Sequence, residues 1–232
     1  WGNSMIYIGK FLVEGTGTEV NYEEALQWFH RASDLNYLQA KTWIGLMYRN
    51  GYGVKQSDSE AVRWYRAAAD GGNYWGMTKL GEMYYFGRGV REDEEEALEW
   101  FQKAANGGHA GGECWLGYLY LEGRGGLDKD YQQALVWLRR SSEGGDIEAM
   151  TYLGQMYAEG LGVVRDDTVA YDWFKRAAAG NWAKAQCWLG VFAHQGRVVR
   201  QNDYEAVRWW RLAADNGDAE APYNLGYAYE TG

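Results

Sequence analysis

The chain has 232 residues, 47% of them hydrophobic, with a single proline, two cysteines and a net charge of −9. That balance excludes a disordered linker and argues against a nucleic-acid or anionic-membrane surface as the main partner, since both need clustered Lys and Arg. No apolar run approaches the roughly 18 residues needed to cross a bilayer, so no membrane insertion is expected. The chain begins inside a repeat, so the lack of a visible secretory signal leaves the compartment unknown.

A repeat is the dominant signal. Glycine recurs at Gly9, Gly45, Gly81, Gly117, Gly154, Gly190 and Gly226, with spacings of 36, 36, 36, 37, 36 and 36 residues. A tryptophan ladder, Trp28, Trp64, Trp100, Trp137, Trp173 and Trp209, keeps the same period. Two residue types holding one period over the full length mark a repeat architecture. Counted from Trp1, the units are 1–36, 37–72, 73–108, 109–145, 146–181, 182–217 and a partial 218–232, read as one repeat domain over 1–232.

Within each unit, positions 2 to 14 are predicted to form a first helix. Its buried stripe lies at positions 4, 8, 11 and 12, such as Ala40, Ile44, Met47 and Tyr48, one face of a 3.6-residue helix. Glycine stands at position 15 in every copy, from Gly15 to Gly232, where a helix end needs a left-handed residue. After a loop with a second glycine comes a capping residue (Asn21, Ser57, Asp93, Asp130, Asp166, Asn202), usually followed three residues on by Glu or Gln, the signature of a second helix start. That helix carries Ala at 25, Trp at 28, which reads as its repeated buried anchor, and basic residues in its last turn, where the dipole favours them. Cys114 and Cys187 occupy one repeat position two units apart, roughly 20 Å or more if helices pack about 8–10 Å apart. They are expected to be free thiols, because a disulfide needs Cα atoms within about 7 Å.

The order small residue, Leu-Gly-x-x-Tyr, Gly-x-Gly-Val, Ala-x-x-Trp, Ala-Ala-x-x-Gly resembles the Sel-one-like repeat, a subfamily of the tetratricopeptide-like α/α solenoids. The resemblance covers all 232 residues. It implies an all-α, right-handed superhelical solenoid of helix-turn-helix repeats, with first helices lining a concave groove, acting as a scaffold or adaptor that binds proteins. One bacterial branch, linked to β-lactam binding, has a disulfide in each repeat; this chain lacks those cysteine pairs. Repeat six departs locally, with Ala193 for Tyr and Val198 for the loop glycine, so a reshaped turn is expected there.

Positions that differ between units are free for a ligand. On the first helix these are 3, 6, 10 and 13, which the resemblance places on the concave face. The residues singled out for partner binding are Arg49, Trp75, Glu82, Tyr85, Tyr118, Gln155 and His194; Trp75, Tyr85 and Tyr118 beside Arg49 and Glu82 have the composition of an interface hot spot. The competing reading is that these aromatics pack between neighbouring first helices. The aromatic stripe at position 7 (Tyr7, Trp43, Trp115, Tyr152, Trp188) reads as inter-repeat packing. Glu14, Glu122 and Glu159 are expected to pair with loop arginines such as Arg88, Arg124 and Arg197.

The three histidines, His30, His109 and His194, fall at unrelated repeat positions, and no His, Cys and carboxylate spacing suggests a metal site. The chain is read as a non-enzyme needing no cofactor, with a protein or peptide as ligand and no role for nucleic acid. Two alternatives come from other classes. One is an enzyme or small-molecule binder of cell-wall or β-lactam type. The other is a structural spacer or self-assembling array, associating through the exposed final helix with its Leu225 and Tyr229.

Overall fold

The computed structural model describes residues 2–231; Trp1, where the first unit is counted from, and Gly232, the last of the position-15 glycines, lie outside the described residues. Among the described residues there are thirteen α-helices and no strand. The first helices are α1 (Gly2–Glu14), α3 (Leu38–Asn50), α5 (Tyr74–Tyr85), α7 (Ala110–Glu122), α9 (Ile147–Glu159), α11 (Ala183–Gln195) and α13 (Ala221–Thr231). The second helices are α2 (Tyr22–Asp34), α4 (Asp58–Asp70), α6 (Glu94–Asn106), α8 (Tyr131–Glu143), α10 (Asp167–Ala179) and α12 (Asp203–Asp215). The chain forms two compact units, one ending at Asp128 and one beginning at Lys129, and each is an α/α solenoid segment.

The caps sit where the sequence places them. Asn21, Ser57, Asp93, Asp130, Asp166 and Asn202 each accept a backbone N–H from three residues on, at 3.0–3.3 Å. Gly51, Gly123, Gly160 and Gly196 close their helices in the left-handed region, which satisfies the last carbonyls.

The core anchor of the second helix is not the one expected from sequence. The tryptophans at position 28 are half-buried, apart from Trp100. The fully buried ring is the next residue: Phe29, Tyr65, Phe101 and Phe174 are 0% exposed and Trp210 2%. Each lies flat against the glycine of its own unit's first helix. A Cβ at Gly45, Gly81, Gly154 or Gly190 would stand 2.4–2.6 Å from that ring, a distance no side-chain carbon tolerates, so the Gly9 ladder exists to let a ring touch helix backbone. The ring's other neighbour comes from the following unit. Trp43 stacks on Phe29 at 5.3 Å and Trp115 on Phe101 at 4.9 Å in the first compact unit, and Trp188 on Phe174 at 5.2 Å in the second.

Four of the six position-28 tryptophans carry a cation one turn on. Arg31, Lys103, Arg140 and Arg176 lie 4.2–4.8 Å over Trp28, Trp100, Trp137 and Trp173. Position 30 has a different task, donating to the Tyr at position 12 of the next unit: Arg66 to Tyr84, Arg139 to Tyr157 at 2.8 Å, Arg211 to Tyr229 at 2.6 Å. Basic residues that read as dipole partners are therefore specific repeat-to-repeat and ring contacts.

The loops pack on the preceding second helix. Arg124 pairs with Glu94, not Glu122, and Arg197 pairs with Asp167, not Glu159. The expected pairing with helix-end glutamates does not form for these two, because the loop turns the arginine toward the start of the previous unit's second helix, where the dipole already favours an acid. Glu14 and Glu159 instead contact Lys10 and Gln155 on their own helices.

Arg197 and Arg165 hold the Asp167 carboxyl well below the usual carboxylate range, with Arg197 the larger cause. A depressed folded-state pKa gives stability that is fully present above the unfolded value of about 3.9 and fades as pH falls toward the folded value. We therefore expect the melting-temperature gap between wild type and Arg197→Gln to be constant near neutrality and to narrow below about pH 4. A gap that is unchanged between neutral and acid melts would contradict this assignment.

The loop of repeat six keeps its turn. Val198 itself takes the left-handed conformation, φ 63°, that glycine takes in the other repeats, so the turn is strained rather than reshaped. A β-branched residue there costs of order 1–3 kcal/mol. Val198→Gly is expected to stabilise by about 1 kcal/mol after the entropy glycine adds to the unfolded chain, read as a higher urea midpoint; a lower midpoint would contradict it.

Candidate functional site

The first-helix row divides on inspection. Position 6 is buried in every unit from the first to the sixth, and it serves as a link to the next unit's helix start. Thr42 Oγ1 donates to Asn73 Oδ1 at 3.0 Å, and Thr78 Oγ1 lies 3.0 Å from His109 Nδ1. Asn73 and His109 in turn cap α5 and α7. Position 6 therefore belongs to the scaffold. Positions 3 and 10, with position 7 between them, form the stripe that reaches the surface.

In the first compact unit this stripe carries a charged cluster. Glu82 accepts from Lys79 at both oxygens, 2.7 Å at Oε1 and 3.0 Å at Oε2, and Arg49 Nη1 lies 3.5 Å from Oε2. The three side chains are only 24% (Arg49), 13% (Glu82) and 23% (Lys79) exposed. Beneath them Tyr65 is fully buried, its phenol pushed up by burial, with Arg49 acting in the opposite direction. On one side Trp75 meets Trp43 edge-on at 5.2 Å.

On the other side lies a second aromatic group. Tyr85 is 5% exposed and packs against Phe86, Trp115 and Tyr118 with centroids 5.0–6.2 Å apart. Its hydroxyl donates to Tyr118 at 3.3 Å, and Arg124 sits 4.7 Å over its ring. Burial and the bond to Tyr118 both push the Tyr85 phenol up. Half-buried Trp75 and Tyr118 and the Arg49–Glu82 pair thus line the row, while Tyr85 lies underneath it as packing.

In the second compact unit the singled-out residues are not brought together. Gln155 donates to Glu159 at 3.2 Å. His194 lies 2.7 Å from Asp203 and against the rings of Trp210 and Tyr227. Lys79 is the member of the cluster that the sequence reading passes over. The signal was present: it is the one cation at position 7, whose other copies are mostly aromatic.

Among the described residues no group of three or more His, Cys, Asp or Glu is placed to hold a metal ion, and no helix is long and apolar enough to cross a membrane. Cys114 and Cys187 are both buried thiols. Burial pushes the Cys187 thiol up to about 12, with Asp218 adding to the effect, so it stays protonated and unreactive as a nucleophile at neutral pH.

Compared with known protein families, the chain matches the Sel1 repeat seven times, over residues 2–37, 38–73, 76–109, 110–146, 147–182, 183–218 and 219–232. It belongs to the Sel1 repeat family. Among solved structures, this Sel1 repeat chain is similar to a Sel1 repeat protein from Oxalobacter formigenes at 33% identity and a TM-score of 0.79, covering 93% of this chain and 88% of that one. It is also similar to c5321, described as a protective antigen of uropathogenic Escherichia coli strains displaying an SLR fold, at 32% identity and a TM-score of 0.71 over 100% of this chain. This Sel1 repeat chain spans 49% of c5321's length, about half. The immunity protein Pa5087 from Pseudomonas aeruginosa shares the fold at 17% identity and a TM-score of 0.65, covering 93% of this chain and 81% of that one. A search of functionally curated proteins returns no match. Sel1 repeat proteins are generally protein-interaction scaffolds and typically not enzymes.

Proposed function

We propose that this Sel1 repeat chain is a scaffold whose first-helix face binds a protein or peptide partner, with Trp75, Glu82, Arg49 and Tyr118 at the centre of the contact. One observation carries the reading: a partly buried ionic cluster, Lys79–Glu82–Arg49, set between the half-buried aromatics Trp75 and Tyr118. Interface hot spots combine large aromatics and Arg in sites that lose water on contact. The cluster replaces an aromatic of the position-7 stripe with a cation, a substitution that inter-repeat packing does not call for. Tyr85 supports Tyr118 from below; Gln155 and His194 stand at positions 10 and 13 of their own repeats within the second compact unit.

The test is a binding measurement on a partner captured from the native lysate and then purified. Trp75→Ala/Tyr118→Ala is expected to weaken binding about thirtyfold or more, and Arg49→Ala about tenfold, while Trp173→Ala on α10 leaves it unchanged. Equal affinities across all four proteins would contradict the assignment of the face.

A further inference from the structure

The first-helix face of the second compact unit holds a cavity of about 330 Å³ between α11 and the start of α13, within the range of small ligand and side-chain pockets. Along α11 its wall is Lys184, Trp188, Val191 and Gln195. These residues are spaced four, three and four apart, so they form one stripe of a 3.6-residue helix. The buried Cys187 thiol lines the cavity as well; protonated, it adds an apolar surface rather than a nucleophile. Trp188 is half-buried and stacked flat on Phe174, so the apolar wall is fixed before anything binds.

Three charges surround this wall, and they are not equivalent. Arg197 is fully engaged: it donates to both oxygens of Asp167 at 2.5 and 2.9 Å and to the Ala158 carbonyl at 3.1 Å, and it lies 4.2 Å over Phe192. Lys184 and Glu220 are exposed, and neither side chain makes an ion pair among the described residues. Glu220 stands just before α13, where the helix dipole favours an acid. Lys184 is the second residue of α11, where the dipole disfavours a cation, so helix stability does not explain it.

From these features we infer that the cavity is a second recognition pocket, for an extended segment of a protein partner that presents an acidic side chain to Lys184, an apolar side chain to Trp188 and Val191, and a basic side chain to Glu220. Lys184 and Glu220 both stand at position 3 of successive first helices. Those helices are separated by at most about 10 Å per packed step, and an extended chain rises about 3.3 Å per residue. Alternate side chains of an extended chain share one face, so the acidic and basic residues of the partner stand about four residues apart, with the apolar one midway, and the long Lys184 and Glu220 side chains reach the difference. A segment of either charge order meets both, running in opposite directions. This inference rests on the reading that the first-helix face binds a protein; it adds which chemistry one part of that face selects.

A phage-displayed library of random nonamer peptides, selected on the folded chain, tests it. Wild type is expected to enrich peptides that carry one acidic and one basic residue on either side of an apolar one. The variant Lys184→Glu, altered only at an exposed side chain, is expected to enrich peptides with basic residues on both sides of the apolar one, and to bind the wild-type peptides about tenfold more weakly. Val191→Trp, which fills the cavity, is expected to lose enrichment altogether; its thermal melt shows whether it is folded, and the Lys184→Glu variant decides the matter if it is not. Enrichment with no charge pattern, a pattern that survives Lys184→Glu, or no enrichment at all overturns the pocket. The variant Trp75→Ala/Tyr118→Ala separates the two readings. Peptides that lose affinity on it but not on the cavity variants would leave the first-helix face standing and remove this pocket.

Discussion

Phe101→Ala is expected to destabilise the chain by about 3–5 kcal/mol, whereas Trp64→Ala costs about 1–2 kcal/mol. Phe101 is completely enclosed, with the backbone of Gly81 on one side and the flat indole of Trp115 on the other. Its removal leaves a void bounded by helix backbone, which cannot close by moving a side chain. Trp64 is half-exposed and meets His30 edge-on at 5.5 Å, so its loss opens a surface notch that water fills. Urea denaturation followed by circular dichroism gives both values. Equal losses would return the core anchor to position 28 and contradict the account of the Gly9 ladder.

Gly89→Ala is the second large effect, expected at about 3 kcal/mol or more. Gly89 has φ 69°, and a Cβ there would lie 2.4 Å from the carbonyl carbon of Asp58, the first residue of α4. The left-handed conformation alone costs an alanine roughly 1–2 kcal/mol; the clash with backbone adds to it, because the loop must lift off the helix it caps. Gly108→Ala separates the two causes. Gly108 has φ 76° but nothing within 4 Å of a Cβ, so it should lose about 1 kcal/mol. If both alanines cost the same, the loop does not depend on close approach.

Much of this was legible in the sequence, for a physical reason. Helix caps and glycine turns are local: Asp93 needs only the N–H of Glu96, three residues on, and the signal lies within one unit. The period itself exposes the scaffold, because each unit solves one packing problem in the same way. What the letters did not show was which of two adjacent rings faces inward. Trp100 and Phe101 differ by a 100° turn of helix, and the invariance of the tryptophan drew the eye to the wrong one. Trp28, Trp100, Trp137 and Trp173 each share an outer surface with a cation one turn on, while position 29 tolerates Phe, Tyr, Leu and Trp because a ring or branched chain can each cover a glycine.

The candidate site was legible only in part. Variation between units pointed to Arg49, Trp75, Glu82 and Tyr118, and the structure places Arg49 and Glu82 together. It could not separate Tyr85, which varies but is enclosed, because burial depends on the neighbouring unit's Trp115 and Tyr118. Nor could it show that position 6 is a link between units, since the partner of Thr42 is 31 residues away. The loop arginines were misassigned for the same reason: their acids lie 30 residues back, at Glu94 and Asp167.

The most direct measurement is site-specific photo-crosslinking to a captured partner. A photoreactive benzoylphenylalanine replaces either Leu46, on the first-helix row beside the ionic cluster, or Glu99, exposed on the second helix α6. Crosslinks to the partner from Leu46, and none from Glu99, are the expected result. Crosslinks from Glu99 alone would place the partner on the second-helix side and contradict the first-helix face as the binding surface.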